Sequence, residues 1–219
     1  HVLMKIFVGL GNPDPQYTKT RHNAGFMVID RLGERIARGK TPKGSFKAVA
    51  VDATVDQEKC LLLKPTTYMN RSGQSVGEAV SFYKVDARRD VLVITDDIAL
   101  PVGALRLRPG GGSGGHNGLE DLRRALGGDE WPRLRLGVGA KPAFMDQAEY
   151  VLSRFTADEW PLIETAIAKA AEACEVFARK GLEAAMNFAN APPPDPSRPK
   201  RPRPPDLPPD KGGPASPDA

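Results

Sequence analysis

Short apolar runs of strand length alternate along this chain with segments whose apolar residues recur at helical spacing. That alternation limits the fold more than any other feature. Ile6-Phe7-Val8, Cys60-Leu61-Leu62-Leu63 and Val91-Leu92-Val93-Ile94 are continuous apolar runs and read as strands. Val49, Val51, Ala53 and Val55 alternate as a half-buried strand does. Leu105 and Leu107 alternate with Arg106 and Arg108 in a fifth strand, and Leu134, Leu136 and Val138 mark a sixth. Between the strands, Phe26, Ile29, Leu32 and Ile36 keep a helical period, and Ser75 to Tyr83 reads as a helix. A glycine-rich loop leads into another helix around Leu119, Leu122 and Leu126. Thr156 and Glu159 fit a capping box that opens a long helix through Ile163, Ile167, Ala171, Cys174 and Val176. The expected fold is α/β: a single domain with a central mixed β-sheet flanked by helices.

Composition changes abruptly near Ala191. The last 29 residues hold twelve prolines, and Leu207 is their only large apolar side chain. Such a segment cannot bury enough surface to offset its ordering entropy. The expectation is a disordered tail over 191–219 and a folded domain over 4–190. Met4 is read as the natural start, with His1 to Leu3 an added remnant. No stretch approaches the roughly 20 apolar residues that span a bilayer. The opening run is too short for a secretory signal. A net charge of +4 permits a nucleic-acid partner without requiring one. Cys60 and Cys174 lie far apart and outside any CxxC pattern, which argues against a disulfide framework and a structural zinc. The compartment is read as reducing, hence cytoplasmic.

Four segments concentrate polar residues in loops next to strands, where chemistry is expected in such a fold. The first runs from Gly9 to Asn23 and holds Asn12, Tyr17 and His22. His22 suits general-base work near neutral pH, and equally suits a helix start, as Asn12 suits a turn. The second is Lys64-Pro65-Thr66-Thr67-Tyr68-Met69-Asn70-Arg71-Ser72-Gly73, where Asn70 or Ser72 can also simply cap the next helix. The third is Thr95-Asp96-Asp97. A carboxylate there can orient an imidazole, close a turn, or begin a magnesium site, though no further carboxylate cluster accompanies it.

The fourth is Gly110 to Gly118, with six glycines in nine residues. It satisfies GxGxxG by density alone and lacks the Lys-Ser/Thr of a P-loop. It also contains GxSxG around Ser113, but no histidine follows His116, so the chain order of a serine hydrolase is absent.

Taken together, Gly9-Leu10-Gly11-Asn12-Pro13, Thr20-Arg21-His22-Asn23-Ala24-Gly25-Phe26, the Lys64–Gly73 segment and Gly114-Gly115-His116-Asn117-Gly118-Leu119 resemble the bacterial peptidyl-tRNA hydrolase family. The resemblance covers about residues 4–190. It implies a carboxylic ester hydrolase that cleaves the bond between peptide and tRNA, with tRNA as partner and no cofactor, metal or membrane. It further implies a cytoplasmic monomer. By the same resemblance, His22 is the catalytic base and Asp96 the residue that holds and charges it. Asn12 distinguishes a blocked amine from a free one. Tyr17, Tyr68, Asn70 and Asn117 contact substrate, and Met69, Gly114 and His116 in the same motifs are likewise expected to bind it. Arg108 and Arg135 contact phosphate. Two departures stand out: Asp14 where the family usually has glycine, and Ala99 where an acidic residue is common.

The residue types suit this reaction independently. His22 can take a proton from water and Asp96 can stabilise the imidazolium. Asparagine amides offer donors and acceptors to a peptide backbone and an oxyanion. Arg106 and Arg108 share one strand face, as do Arg133 and Arg135, and adjacent strands would join them into a basic stripe. Two other classes compete. A silent RNA-binding module is opposed by the pairing of His22 with Asp96. A nucleotide-binding enzyme is opposed by the missing phosphate-binding lysine.

Overall fold

The computed structural model describes residues 4–192. The expected remnant at 1–3 and residues 193–219 of the expected tail lie outside the described residues. The chain runs β1 (Met4–Gly9), α1 (Ala24–Ile36), β2 (Lys43–Ser45), β3 (Ala48–Val55), β4 (Glu58–Pro65), α2 (Ser72–Tyr83), α3 (Ala87–Asp90), β5 (Val91–Asp97), β6 (Leu105–Arg108), α4 (Asn117–Leu126), β7 (Arg133–Gly137), α5 (Gln147–Val151) and α6 (Trp160–Asn190).

The seven strands form one mixed sheet in the order β2-β3-β4-β1-β5-β7-β6. The four central strands are parallel, and β2, β3 and β6 join antiparallel at the edges. Helices cover both faces, and this explains the continuous apolar runs. Phe7, Leu62, Leu92 and Ile94 bury against α1 and α6, whereas Ile6, Val8, Leu61, Leu63 and Val93 bury against α2 and α4.

Six strands are legible in the sequence, and the described residues hold seven. The missed one, β2, has three residues and little burial, so it carries no hydrophobic pattern. The half-buried reading of β3 needs a correction. Val49 is 36% exposed, while Ala48 and Ala50 on the opposite face are buried. Ala53 and Val55 bury as expected. The reason is tertiary: cover on the α1 side begins only partway along β3, and α2 covers its start from the other side.

The capping box is realised. Thr156 N–H donates to Glu159 Oε2 at 2.8 Å and Glu159 N–H donates to Thr156 Oγ1 at 3.3 Å. Cys60 and Cys174 are free and buried, and burial pushes the Cys60 thiol up to about 11.

Chain direction positions the site. From β1 the chain crosses to β4 on one side, and from β4 it crosses back to β5 on the other. The carboxyl ends of β1 and β5 therefore flank a topological switch point, where loops diverge and leave a crevice. Backbone contact keeps the two neighbouring loops close. A Cβ on Gly25 would stand 2.5 Å from the carbonyl oxygen of Ile94 and 2.5 Å from the Leu10 nitrogen, so only glycine lets α1 start there.

Candidate active site

A cavity of about 760 Å³ opens at this crevice. Its wall includes Asn12, His22, Tyr68, Met69, Asn70 and Asp96. It continues through Gly114, His116, Asn117 and Arg135. Four loops that are far apart in sequence thus meet at one place.

His22 lies in the buried turn Thr20–Asn23 and is 9% exposed. Arg21 fastens that turn. Its guanidinium donates to Glu159 Oε1 and Oε2 at 3.1 and 2.8 Å and to the Val138 carbonyl at 3.0 Å. His22 Nδ1 lies 3.0 Å from both carboxylate oxygens of Asp96, at the end of β5. An ionised carboxylate only accepts, so Nδ1 carries the proton and Nε2 keeps its lone pair. Nε2 has no hydrogen-bond partner among the described residues.

Asp96 is 4% exposed. Burial pushes its carboxyl up. The electrostatic pull of the two imidazoles beside it and the hydrogen bonds from both rings outweigh that effect and hold it well below the usual carboxylate range. Asp96 is thus an anion shared by two imidazoles.

His116 is the second of them. Its Nε2 lies 2.9 Å from Asp96 Oδ1 and 2.8 Å from Thr95 Oγ1. Its Nδ1 accepts from the Gly118 and Leu119 backbone N–H groups at 3.2 and 3.3 Å, capping α4. Both ring nitrogens are therefore occupied by the protein. The sequence places His116 among substrate contacts. The structure gives it a different arrangement, in which it lines the cavity but spends its polar atoms on Asp96, Thr95 and the helix.

His22 Nδ1, an Asp96 oxygen and His116 Nε2 lie within 4.8 Å of one another, a two-histidine, one-carboxylate cluster. Its donor chemistry does not suit a cation. With Nδ1 of His116 facing two N–H donors, Nε2 holds the ring's one proton, and a metal there would require an imidazolate. A histidine ligand ordinarily donates from its other nitrogen, which this one cannot do.

Asn12 is held on three sides. Its N–H donates to Asn23 Oδ1 at 2.9 Å, and its carbonyl accepts from Asn23 Nδ2 at 2.9 Å. Its side-chain Oδ1 accepts from Met69 N–H at 3.0 Å. The amide Nδ2 remains without a partner among the described residues. Tyr68 is 48% exposed at the cavity mouth, with a backbone φ of 61°. Its hydroxyl donates to Asp14, at 3.1 Å from the nearer oxygen. Asp14, the departure from the usual glycine, thus acquires a partner. That hydrogen bond and the adjacent negative charge push the Tyr68 phenol up.

Two expected positions stand apart from the cavity. Tyr17 sits in a short 3₁₀ turn and is not on the wall, and Arg108 is exposed on the edge strand β6. Arg106 and Arg108 oppose Arg135 and Arg133 in register, so all four share one sheet face. The stripe is broken nonetheless, because Arg133 is only 2% exposed. Arg135 reaches the cavity, with its Nε 2.6 Å from Asp97 Oδ2 as a close ion pair rather than an aligned hydrogen bond. Ile98, Ala99, Ala148, Val151 and Leu152 supply an apolar part of the wall that sequence reading missed. Only the Asp146 N-cap of α5 offered a local signal for that segment.

These features define an α/β protein that carries a histidine–carboxylate pair beside an amide-lined crevice at the switch point of its sheet. The profile described as peptidyl-tRNA hydrolase matches residues 6–197. A peptidyl-tRNA hydrolase of Desulfitobacterium hafniense is 43% identical over 187 residues, covering 85% of this chain and 100% of that one. One of Lachnoclostridium phytofermentans is 46% identical over 187 residues, covering 85% and 97%. The crystal structure of peptidyl-tRNA hydrolase from Acinetobacter baumannii superposes with a TM-score of 0.80 at 35% identity, covering 87% of this chain and 96% of that one. The chain belongs to the peptidyl-tRNA hydrolase family.

Proposed function

We propose that this chain hydrolyses the ester between a peptide and the terminal ribose of tRNA, releasing both and returning tRNA from stalled or aborted translation. The observation that carries this reading is the free Nε2 of His22, whose Nδ1 donates to the buried Asp96 anion on the cavity wall. His22 Nε2 takes a proton from water as the water oxygen attacks the ester carbonyl carbon, and Asp96 stabilises the imidazolium. The amides of Asn70 and Asn117 donate to the developing oxyanion. The tetrahedral centre then collapses, the bond to the ribose oxygen breaks, and the imidazolium returns its proton to that oxygen. No acyl-enzyme and no metal enter this scheme.

Asn12 sets the choice of substrate. With Oδ1 bound to Met69, it presents only N–H donors. A blocked amine brings an acyl carbonyl that accepts from them, whereas a free ammonium brings only further donors. Arg106 and Arg108 have no ion-pair partner among the described residues and offer charge to the tRNA backbone, with Arg135 inside the cavity. Residues 4–190 act as the catalytic domain, working as a monomer in the cytoplasm. Among the described residues, no helix is long and apolar enough to cross a membrane.

The test is release of peptide from N-acetyl-aminoacyl-tRNA by the purified chain in the presence of a chelator. Release at the rate seen without chelator is expected. Tight tRNA binding with no release would instead make the chain an RNA-binding module on this fold, and loss of release with chelator would require a metal.

A further inference from the structure

Arg133 is the arginine that the basic stripe loses to the interior. Its guanidinium is spent on backbone rather than on an acid. Nη1 donates to the carbonyls of Gly111 and, at 3.3 Å, Gly112, and Nη2 donates to the Asp129 carbonyl at 2.8 Å. The group lies 3.7 Å from the centre of the Trp131 ring, whose Nε1 donates to the Gly128 carbonyl at 2.9 Å. Gly111 N–H also donates to the Asp129 carbonyl. One planar cation thus ties the start of the glycine-rich loop to the turn before β7. Burial pulls it down to about 10, so it stays charged at neutral pH.

Beyond this anchor the ties of the loop are few, the Ser113 carbonyl accepting from the His116 N–H at 3.0 Å. A Cβ on Gly111, Gly112, Gly114 or Gly115 would meet nothing within 4 Å, and three of these glycines have positive φ. Ser113, Gly114 and Gly115 nevertheless line the cavity. The next fixed point is His116, tied to Asp96 and to the start of α4.

We propose that Arg133 is a positioning residue for substrate binding, acting through the glycine-rich loop that it holds in place as one wall of the cavity. The proposal rests on the hydrolase reading. Glycine-rich backbone loses the most freedom on ordering, so an anchor that orders the loop in advance removes a cost from binding. His22 is held in the turn before α1, Asp96 at the end of β5, and His116 and Asn117 at the start of α4, so the effect falls on KM and leaves kcat in place. A lysine cannot reproduce it, because an ammonium lacks the planar fork that reaches carbonyls on two loops and stacks on an indole.

The experiment compares Arg133→Met and Arg133→Lys with the full chain, measuring kcat and KM across a salt series and amide hydrogen exchange in the loop. Arg133→Met should raise KM by about three- to tenfold with kcat held, and Arg133→Lys should fall between it and the parent. The salt slope of log KM should not change, and protection at the Gly111 and His116 N–H groups should drop. If Arg133→Met does not fold, Arg133→Lys carries the same test. Unchanged KM and protection would overturn the proposal. So would a loss confined to kcat, which reports a smaller active fraction. A salt slope lowered by about one would also overturn it, because that marks direct phosphate contact. If the parent chain releases no peptide, the hydrolase reading fails by itself, and hydrogen exchange still decides whether Arg133 orders the loop.

Discussion

The two walls of the cavity are built in opposite ways. The wall from β1 to α1 is tied at several points. Asn23 clamps both backbone groups of Asn12, Met69 holds the Asn12 side chain, and Arg21 fastens the turn that carries His22. Its glycines are sites of close approach: a Cβ on Gly9 would lie 2.3 Å from the Gly25 carbonyl oxygen. Among the described residues the glycine-rich wall is tied mainly at Arg133, at the Gly111 N–H and at His116, whose N–H donates to the Ser113 carbonyl, and Gly112, Gly114 and Gly115 face open space. The difference separates two tasks. A base on the wall, as proposed for His22, has to be held to a fraction of an ångström, whereas a wall that only shapes the crevice can be built from small, loosely packed residues.

The sharpest way to break this comparison is to remove the base. His22→Ala should slow peptide release by about a thousandfold or more while leaving tRNA binding largely intact. Equal loss of binding and turnover would show that His22 supports the wall rather than the chemistry. Single-turnover kinetics with a parallel binding isotherm separates the two.

Asp96→Asn should follow, at on the order of a hundredfold, because an amide still bonds the ring but cannot stabilise imidazolium. The sign of its pH dependence is set by the depressed carboxyl. The stability contributed by the Asp96 anion is present above the ordinary Asp value, about 4, and is lost as pH falls through the lower folded value. Between about pH 5 and 8 Asp96 therefore stays ionised, and any loss of activity there belongs to another group. A rate profile that follows Asp96 in that window, or one unchanged in Asp96→Asn, would remove it from the mechanism.

Glycine substitutions test the walls directly through thermal denaturation. Gly25→Ala should cost about 1–3 kcal/mol, since the new methyl meets backbone atoms that cannot move aside. Gly112→Ala should be neutral or stabilise by about half a kcal/mol, because its Cβ meets nothing and the unfolded chain loses freedom. Equal costs at the two sites would erase the distinction between the walls.

A change in selectivity alone sharpens the tied wall. Asn12→Asp keeps an oxygen for the Met69 N–H but turns the exposed donors into an acceptor. The preference for N-acetyl over free aminoacyl-tRNA should fall by about tenfold, the worth of one good hydrogen bond. A ratio that does not move would assign the discrimination to other residues.

Much of this molecule was legible before folding. Continuous apolar runs disclosed strands covered on both faces, because both faces of a central parallel strand are buried at consecutive residues. The Thr156–Glu159 box announced its helix, since capping acts over a single turn. Motif order brought His22, Asp96 and Asn12 forward as candidates, and the fold places all three on the wall of one cavity. Tertiary structure alone decided the rest. It sent Arg133 inside and left Arg106 and Arg108 outside, although all four strand arginines share one face, because burial depends on which loop lies over that face. It spent both nitrogens of His116 and one end of the Asn12 amide on the protein itself, leaving His22 Nε2 and Asn12 Nδ2 without partners among the described residues. A hydrogen bond between residues separated by 20 or 74 positions is set by where the sheet brings their loops, and no local pattern encodes that distance.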